Sequence, residues 1–220
     1  MTTILRLDAS TRVSGSLSRA LADTFQENLA KDRQDLTVIR RDVGKNPPFL
    51  IDEDWIAAAF EPETTRTEIQ KGRLKLSDTL IEELQAADLI LISSPLYNYG
   101  IPAGLKAWVD QVIRIGKTFT FDLARGDRPL EPIFSGKTLV LASASGEFGF
   151  GPGELNDGRN HLVAHLQTLT GYLGAREMHH VSVEYQEFKD ARHAKSLESA
   201  HHEARELAKR LSGDIDAAAA

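Results

Sequence analysis

The sequence predicts an α/β protein with a doubly wound, five-stranded parallel sheet and helices on both faces. The first observation is that five apolar runs of strand length alternate with segments of helical periodicity. The second is that the first strand, helix and strand follow at the spacing of a right-handed βαβ unit. The third is length, because 220 residues fit a single domain with one sizeable core. We predict the strand order 2-1-3-4-5 and one domain over residues 1–212, with a frayed tail at 213–220.

The first βαβ unit occupies the N-terminal part of the chain. Residues 2–8 form the predicted first strand and residues 36–43 the second. Between them, the hydroxyl of Ser16 or Ser18 can cap a helix. One face of that helix is apolar and consists of Leu17, Leu21, Phe25 and Leu29.

Residues 44–87 are less regular, and we interpret them as an insertion before the third strand. A pair of prolines breaks the chain near its start, and residues 55–60 have the pattern of a short helix. The polar segment 62–87 ends in a longer helix. A monomer would leave several apolar side chains of the insertion uncovered, so we expect them to face a second subunit. These side chains include Trp55, Ile56 and Phe60.

The third strand, residues 89–93, leads into the loop on which the functional prediction depends. A helix over 103–114 follows, and a strand that feeds a loop and then a helix builds ligand sites in α/β sheets. Tyr97 and Tyr99 offer flat faces, and Asn98 offers a donor and an acceptor, as a planar heteroaromatic ligand requires. The alternative is an ordinary turn in which both tyrosines belong to the core or its rim.

The C-terminal half continues the alternation of strands and helices. The predicted elements are, in order, an extended arm over 118–122, a loop over 123–136, strand four over 138–142, a glycine-rich loop over 143–158, a helix over 160–173, strand five over 177–183 and a charged helix over 190–211.

Three loops should meet at one edge of this sheet. With the order 2-1-3-4-5, the chain reverses direction between strands one and three, and ligands bind at such a switch point. Ser10, Ser16 and Ser18 lie between the first strand and the first helix, with Arg12 beside them. A helix N-terminus presents unpaired amide donors and partial positive charge, so this loop suits a phosphate. Alternatively, one serine caps the helix and the others lie on the surface.

Composition argues against several classes of function. A net charge of -6 without a basic run makes nucleic acid or an anionic membrane surface a poor partner. The chain contains no cysteine, which removes disulfides and thiol chemistry, so any redox role needs a cofactor. The glycine fingerprints of nucleoside triphosphatases and dinucleotide-binding proteins are absent from the sequence. With no signal segment or membrane-spanning run, we expect a soluble, cytoplasmic protein.

No residue pattern predicts a catalytic side chain or a metal site. His161 and His165 share a helical face, but no further ligand cluster accompanies them. Ser93 and Ser94 lack the Gly-x-Ser-x-Gly elbow of a hydrolase. We therefore predict no catalytic residue and no bound metal.

A long segment, residues 95–119, closely resembles the FMN-dependent NADH:quinone oxidoreductase and azoreductase family. The serine loop resembles the same family, and so do residues 171–174, with the sequence Gly-Tyr-Leu-Gly. The resemblance implies a flavodoxin-like fold, non-covalently bound FMN and a homodimer. It also implies that NADH or NADPH donates electrons to quinones or azo dyes in a ping-pong mechanism.

The resemblance further implies which residues bind the cofactor. They lie in three loops: Ser10, Ser16, Leu17 and Ser18 at the phosphate; Pro95, Leu96, Tyr97, Asn98 and Tyr99 along the flavin; and Ser143, Ala144, Ser145, Gly146 and Glu147 on its other side. Phe119 and Phe121 are expected to hold a flat substrate over the ring. Ser145 stands where the family commonly has an arginine, and Glu147 stands at a glycine position. A carboxylate at position 147 would oppose the negative charge of a reduced flavin.

Two other functions stay open at this stage. A flavodoxin-like electron carrier, or an FMN-binding module without turnover of its own, would share the fold and the cofactor. The long segments 44–87 and 149–160 favour instead an enclosed pocket built by a dimer. Hydrolysis of an acyl-carrier prosthetic group is attached to this family only as an older label, and no residue supports it.

Overall fold

The computed structural model describes residues 2–33 and 35–219, including their side chains except at Asp32 and residues 214–219. The strands are β1 (Thr2–Asp8), β2 (Leu36–Asp42), β3 (Leu89–Pro95), β4 (Phe119–Phe121), β5 (Leu130–Pro132), β6 (Lys137–Ala144) and β7 (Ala175–Val183). The helices are α1 (Leu17–Asp32), α2 (Glu53–Phe60), α3 (Glu68–Ala86), α4 (Ala103–Val112), α5 (His161–Leu169) and α6 (Ala191–Ala219).

Five of the strands form one parallel sheet in the order β2-β1-β3-β6-β7. The predicted five-stranded parallel sheet is therefore confirmed. The strand numbers differ from the predicted 2-1-3-4-5 because β4 and β5 intervene along the chain as a separate antiparallel pair. The predicted extended arm is β4, whereas the prediction that 123–136 is entirely loop is wrong, since β5 lies within it.

The sheet separates two hydrophobic cores. Leu5 and Leu7 of β1 pack in the core on one side, while Ile4 packs in the core on the other. This alternation follows from the pleat, which points successive side chains to opposite faces. Helices α1 and α6 pack against each other on the Ile4 side, where Phe25 and Leu29 are buried. On the other side lie the apolar faces of α3, α4 and α5.

The fifth predicted helix is shorter than expected. Helix α5 ends at Leu169, and the chain then turns, with Gly174 at a φ of 81°. The Ala175 N–H donates to the Thr170 carbonyl across this turn, and β7 begins at once. The apolar residues after Leu169 therefore belong to the turn, and β7 starts two residues before the predicted strand.

The insertion contains α2 and α3, as predicted, but its apolar residues have different environments. The indole Nε1 of Trp55 donates to Gln111 Oε1 over 3.1 Å, and Trp55 is only 5% exposed. The expectation that Trp55 faces a second subunit is therefore wrong, because the ring fills a core of its own chain. Ile56 and Phe60, in contrast, are 44% and 70% exposed.

The C-terminal helix is longer than the predicted segment 190–211. Its helical backbone is described as far as Ala219. The predicted fraying of residues 213–220 stays a prediction, because the side chains of 214–219 and the whole of residue 220 lie outside the described structure. Among the helices described between residues 2 and 219, none combines the length and apolar character needed to cross a membrane.

Two glycines within helices differ in the space available for a side chain, and this difference tests the packing of α4. A Cβ at Gly104 would overlap the carbonyl oxygen of Val43, whereas a Cβ at Gly72 would meet nothing within 4 Å. We expect Gly104→Ala to lower the free energy of unfolding by about 1–3 kcal/mol through overpacking. The control Gly72→Ala, in the middle of α3, should raise it by about 0.5–1 kcal/mol. Urea denaturation measures both changes, and equal effects of the two substitutions would contradict the packing.

Candidate cofactor-binding site

The carboxyl ends of the three central strands lie side by side, as expected. In the strand registers Asp8 is opposite Ser93, and Ser94 is opposite Ser143. The loops after β1, β3 and β6 therefore start from one edge of the sheet. The structure brings together the three groups of residues that the sequence predicted from separate parts of the chain.

The serine loop after β1 is folded around the N-terminus of α1. Ser16 is the N-cap residue, and its Oγ accepts a hydrogen bond from the Arg19 N–H over 3.4 Å. The Ser16 and Ser18 hydroxyl oxygens are 3.4 Å apart, and the Ser10 Oγ accepts from the Arg12 N–H. Only Ser16 caps the helix, and all three serines are buried beside one cavity.

This first cavity has a volume of about 60 Å³, far below the several hundred Å³ of a whole cofactor pocket. Because a small cavity at a helix N-terminus suits an anion, we call it the phosphate cavity. Its lining residues are Ser10, Arg12, Ser16, Leu17, Ser18, Pro95, Tyr97, Ala144 and Gln186.

Beneath the serine loop is a buried ion network that the sequence analysis missed. The Asp8 carboxylate is fully buried and accepts hydrogen bonds from Arg6, Arg40 and the Ser93 hydroxyl at 2.7–3.1 Å. The only sequence signal was the occurrence of charged residues within otherwise buried strands.

Arg19 connects this network to the serine loop. Its Nη2 donates to the Ser10 carbonyl over 2.6 Å, and its guanidinium makes a two-point ion pair with Asp42. The Arg19 hydrogen bonds hold the pKa of Asp42 below its usual value. The loop backbone is thus fixed by a charged side chain from the helix that follows it.

The loop after β3 is a tight turn with unusual backbone geometry. Asn98 and Tyr99 both have positive φ, at 48° and 63°, and the Gly100 N–H donates to the Tyr97 carbonyl. Two successive non-glycine residues in this region are strained, and such strain concentrates at functional sites. A hydrogen bond of 3.0 Å joins the Tyr97 and Thr11 hydroxyls, so the turn is tied to the serine loop.

A second cavity of about 190 Å³ lies on the other side of the turn, and we call it the ring cavity. Its lining residues are Leu96, Asn98, Tyr99, Ser145, Gly146, Glu147 and Phe150. Six of these seven residues belong to the two loops that the sequence predicted as the flavin site. Phe150, whose ring makes an edge contact with Tyr99 at 6.4 Å, was not among the predicted site residues.

Glu147 has a specific partner in this cavity. The Tyr99 hydroxyl donates to the Glu147 carboxylate over 2.7 Å, which joins the loops after β3 and β6. The hydrogen bond raises the pKa of Tyr99, because the nearby carboxylate disfavours the tyrosinate. Glu147, which departs from the family pattern, therefore pairs with Tyr99, which matches that pattern.

The β6 loop is also supported from β7. The Ser143 hydroxyl lies 2.8 Å from His180 Nε2. Although His180 keeps an exposed surface, the protein atoms packed around its imidazole desolvate the ring and lower its pKa to about 4. His180 is therefore a neutral hydrogen-bonding partner at neutral pH. The sequence analysis did not identify this contact, because His180 and Ser143 are brought together only by the pairing of β6 with β7.

Phe119 and Phe121 line neither the phosphate cavity nor the ring cavity. Both lie on the β4–β5 hairpin, where the Phe119 ring contacts Tyr172 at 5.9 Å in an edge arrangement. Their predicted role at the substrate stays a prediction. Within residues 2–33 and 35–219, no group of three or more acidic or histidine side chains is placed to hold a metal ion.

The sequence matches a known protein family and several named relatives. A family model described as a flavodoxin-like fold matches residues 2–208. The chain is 51% identical over 218 residues to FMN-dependent NADH:quinone oxidoreductase 2 of Colwellia psychrerythraea, and the match covers 96% of this chain and 100% of the relative. It is 39% identical to FMN-dependent NAD(P)H:quinone oxidoreductase 1 of Pseudomonas aeruginosa, over 85% of this chain and 89% of that relative.

Solved structures agree on the fold. An azoreductase from Bacillus anthracis superposes with a TM-score of 0.83 at 23% identity, over 96% of this chain and 100% of that one. A FMN-dependent NADH-azoreductase from the same species, solved in complex with FMN, gives a TM-score of 0.84 at 18% identity, with coverage of 96% and 100%. At these identities the structures support the fold alone.

The His180 environment predicts a dependence of stability on pH. Because its pKa is near 4 when folded and near 6.5 when unfolded, the unfolded chain binds more protons between those values. Stability is therefore lost as the pH falls from 6.5 towards 4. Because His180 keeps an exposed surface, solvent screens this effect, so between about pH 7.5 and pH 5 the histidine should lower the free energy of unfolding by only about 1 kcal/mol.

His180→Gln keeps a hydrogen-bonding group for Ser143 but removes the titration. Urea unfolding of the two proteins at both pH values should show about 1 kcal/mol less pH-dependent loss in the variant. An identical pH dependence in the two proteins would show that the folded protein does not lower the pKa of His180.

Proposed function

The chain belongs to the flavodoxin-like family that contains the FMN-dependent NADH:quinone oxidoreductases, and on that premise we propose that it is such an enzyme. It uses non-covalently bound FMN to pass electrons from NADH or NADPH to quinones and azo compounds. One observation carries the proposal: neighbouring residues of the loops after β3 and β6 line both the phosphate cavity and the ring cavity, at the carboxyl ends of β1, β3 and β6. A flavin mononucleotide needs both an anion site and a flat site in that arrangement.

The residues present fit FMN in their chemistry. Three serine hydroxyls, the unpaired amides at the α1 N-terminus and Arg12 supply donors and positive charge for a doubly charged phosphate. In the ring cavity, Tyr99 and Phe150 supply aromatic surface and Asn98 supplies a polar edge. No cysteine is available for covalent attachment, so the cofactor is held by these contacts alone.

Each predicted loop has a distinct part in this proposal. The phosphate is surrounded by Ser10, Ser16, Leu17 and Ser18. One side of the flavin is lined by Pro95, Leu96, Tyr97, Asn98 and Tyr99, and the other side is closed by Ser143, Ala144, Ser145, Gly146 and Glu147. The glycine at 146 has a packing reason as well, because a Cβ there would lie 2.7 Å from Glu187 Cγ. A side chain at 146 would require the exposed Glu187 side chain to move.

When bound, FMN supplies the redox chemistry, accepting a hydride from the nicotinamide and reducing the acceptor. The protein side chains then orient the flavin and limit access of water, and no acid-base residue is required. A single flat site beside the flavin serves both substrates, so the oxidised nicotinamide leaves before a quinone or azo compound binds. This order of binding is a ping-pong mechanism.

We extend the proposal to a homodimer. The insertion carries large apolar side chains that its own chain leaves uncovered: Leu50, Ile56, Phe60 and Ile69 are 73%, 44%, 70% and 86% exposed. Exposed apolar residues grouped in one segment are typical of a protein interface. Phe119 and Phe121 lie away from the cavities of their own subunit, so a role at the substrate would require them to reach the site of a second subunit.

The proposal includes the extent of the FMN-binding domain and the compartment of the cell in which the protein works. Residues 1–212 act as one FMN-binding domain, with 213–220 as a tail. The protein works in the cytoplasm, where the pyridine nucleotides that would serve as its electron donors are held.

The function is tested by isolating the protein and measuring its turnover. The purified protein should be yellow, and heat or acid should release FMN. Oxidation of NADH with menadione as acceptor should exceed the buffer control and give parallel double-reciprocal lines. FMN binding without turnover would indicate an electron carrier, and intersecting lines would contradict the shared site.

The dimer is tested by light scattering. The wild type should have about twice the chain mass of 24.3 kDa at micromolar concentration. The double variant Ile56→Glu, Phe60→Glu places two charges on the apolar segment and should reduce the mass to that of one chain. Val38→Glu, at an exposed apolar position on β2, is the control and should remain dimeric. A fully active wild-type monomer would contradict the proposal.

A further inference from the structure

A fourth loop, residues 184–190 after β7, lies against the candidate cofactor site. Its backbone is hydrogen-bonded to the β6 loop residue by residue. The N–H groups of Tyr185, Gln186 and Glu187 each donate over 3.2 Å, to the carbonyls of Glu147, Ser145 and Gly146 respectively. Three successive bonds fix the position of one loop relative to the other.

The outer side of this loop is held by an aromatic cluster. The rings of Phe148 and Tyr185 are stacked at 4.3 Å, and Phe188 makes an edge contact with both. The Arg192 guanidinium lies 4.7 Å from the centre of the Phe188 ring and also pairs with Asp190. These contacts lock the loop between β7 and α6, with Tyr185 at a positive φ of 64°.

This anchoring places Gln186 at the phosphate cavity, which the serine loop also lines. The Gln186 side chain is partly buried there. Within the described chain it has backbone hydrogen bonds only, so its side-chain amide is available to a ligand. An amide offers two N–H donors and one acceptor, which can contact both phosphate oxygens and sugar-chain hydroxyls.

We propose that Gln186 is a binding residue for the phosphate-bearing end of the FMN side chain, supplied by a loop outside the three that the sequence indicates. The inference rests on the proposed function, because FMN is the ligand that the phosphate cavity serves. The side chain shares the lining of that cavity with Ser10, Ser16 and Ser18, and it adds an amide to their hydroxyls. It distinguishes FMN from riboflavin, which lacks the phosphate.

The test is equilibrium binding of FMN and of riboflavin to apo-protein, followed by quenching of flavin fluorescence. Gln186→Ala should raise the Kd of FMN about tenfold, which corresponds to 1.4 kcal/mol. Gln186→Glu places a carboxylate beside the phosphate and should raise it further, with partial recovery at high salt because charge repulsion is screened. The Kd of riboflavin should change less than about twofold in both variants, well below that tenfold effect.

Two variants calibrate the measurement. Gln85→Glu makes the same charge change on the exposed surface of α3, at the opposite end of the sheet, and should leave both Kd values unchanged. Ser18→Ala, within the serine loop, should weaken FMN binding with little effect on riboflavin. Riboflavin binding by each variant also reports that the protein is folded.

The outcomes separate this inference from the function on which it rests. FMN binding by the wild type together with unchanged FMN affinity in both Gln186 variants would overturn the inference and leave the proposed function standing. Equal weakening of FMN and riboflavin would also overturn it, since the loop would then support the site without contacting the phosphate. Failure of the wild type to bind FMN would overturn both.

Discussion

The Asp8 carboxylate is the constraint on which the candidate site depends. It is fully buried at the end of β1, one of the three inner strands of the sheet. Its partners come from β1 itself, from β2 through Arg40, from β3 through Ser93 and from α1 through Arg19. Removing one member of a buried charge pair leaves the other uncompensated, at a cost of about 3–5 kcal/mol. The same network that joins three strands and a helix also fixes the backbone of Ser10.

The charges of this network nearly cancel. Arg6, Arg19 and Arg40 are matched by the carboxylates of Asp8, Asp23 and Asp42. The attraction for a phosphate therefore comes from the α1 N-terminus, from serine hydroxyls and from the exposed side chain of Arg12. The ion network therefore supports the serine loop without adding excess charge, and a separate set of groups binds the anion.

The sequence predicted the fold well because buried strands and amphipathic helices leave periodic apolar patterns. The strand β5 was missed because its three residues are all exposed and carry no such pattern. Trp55 was assigned to an interface because its hydrogen-bonding partner, Gln111, is distant in sequence. Local motifs predicted Ser10, Tyr97 and Gly146, which line the two cavities, as binding residues, and that role stays a prediction. The motifs gave no indication of Asp8, Phe150, His180 and Gln186, because the surroundings of these four residues are created by strand pairing and loop packing.

The order of the strands also has a consequence for synthesis. Strand β1 lies between β2 and β3, and its pairing with β3 joins residues such as Ile4 and Leu89 that are 85 positions apart. A nascent chain emerges N-terminus first, so β1, α1 and β2 can associate early while the β3 side of β1 stays unpaired. Contacts at such sequence separation slow folding, because loop-closure entropy is lost before they form. The serine loop is thus made early, while the loop after β7 that completes its cavity is among the last segments to leave the ribosome.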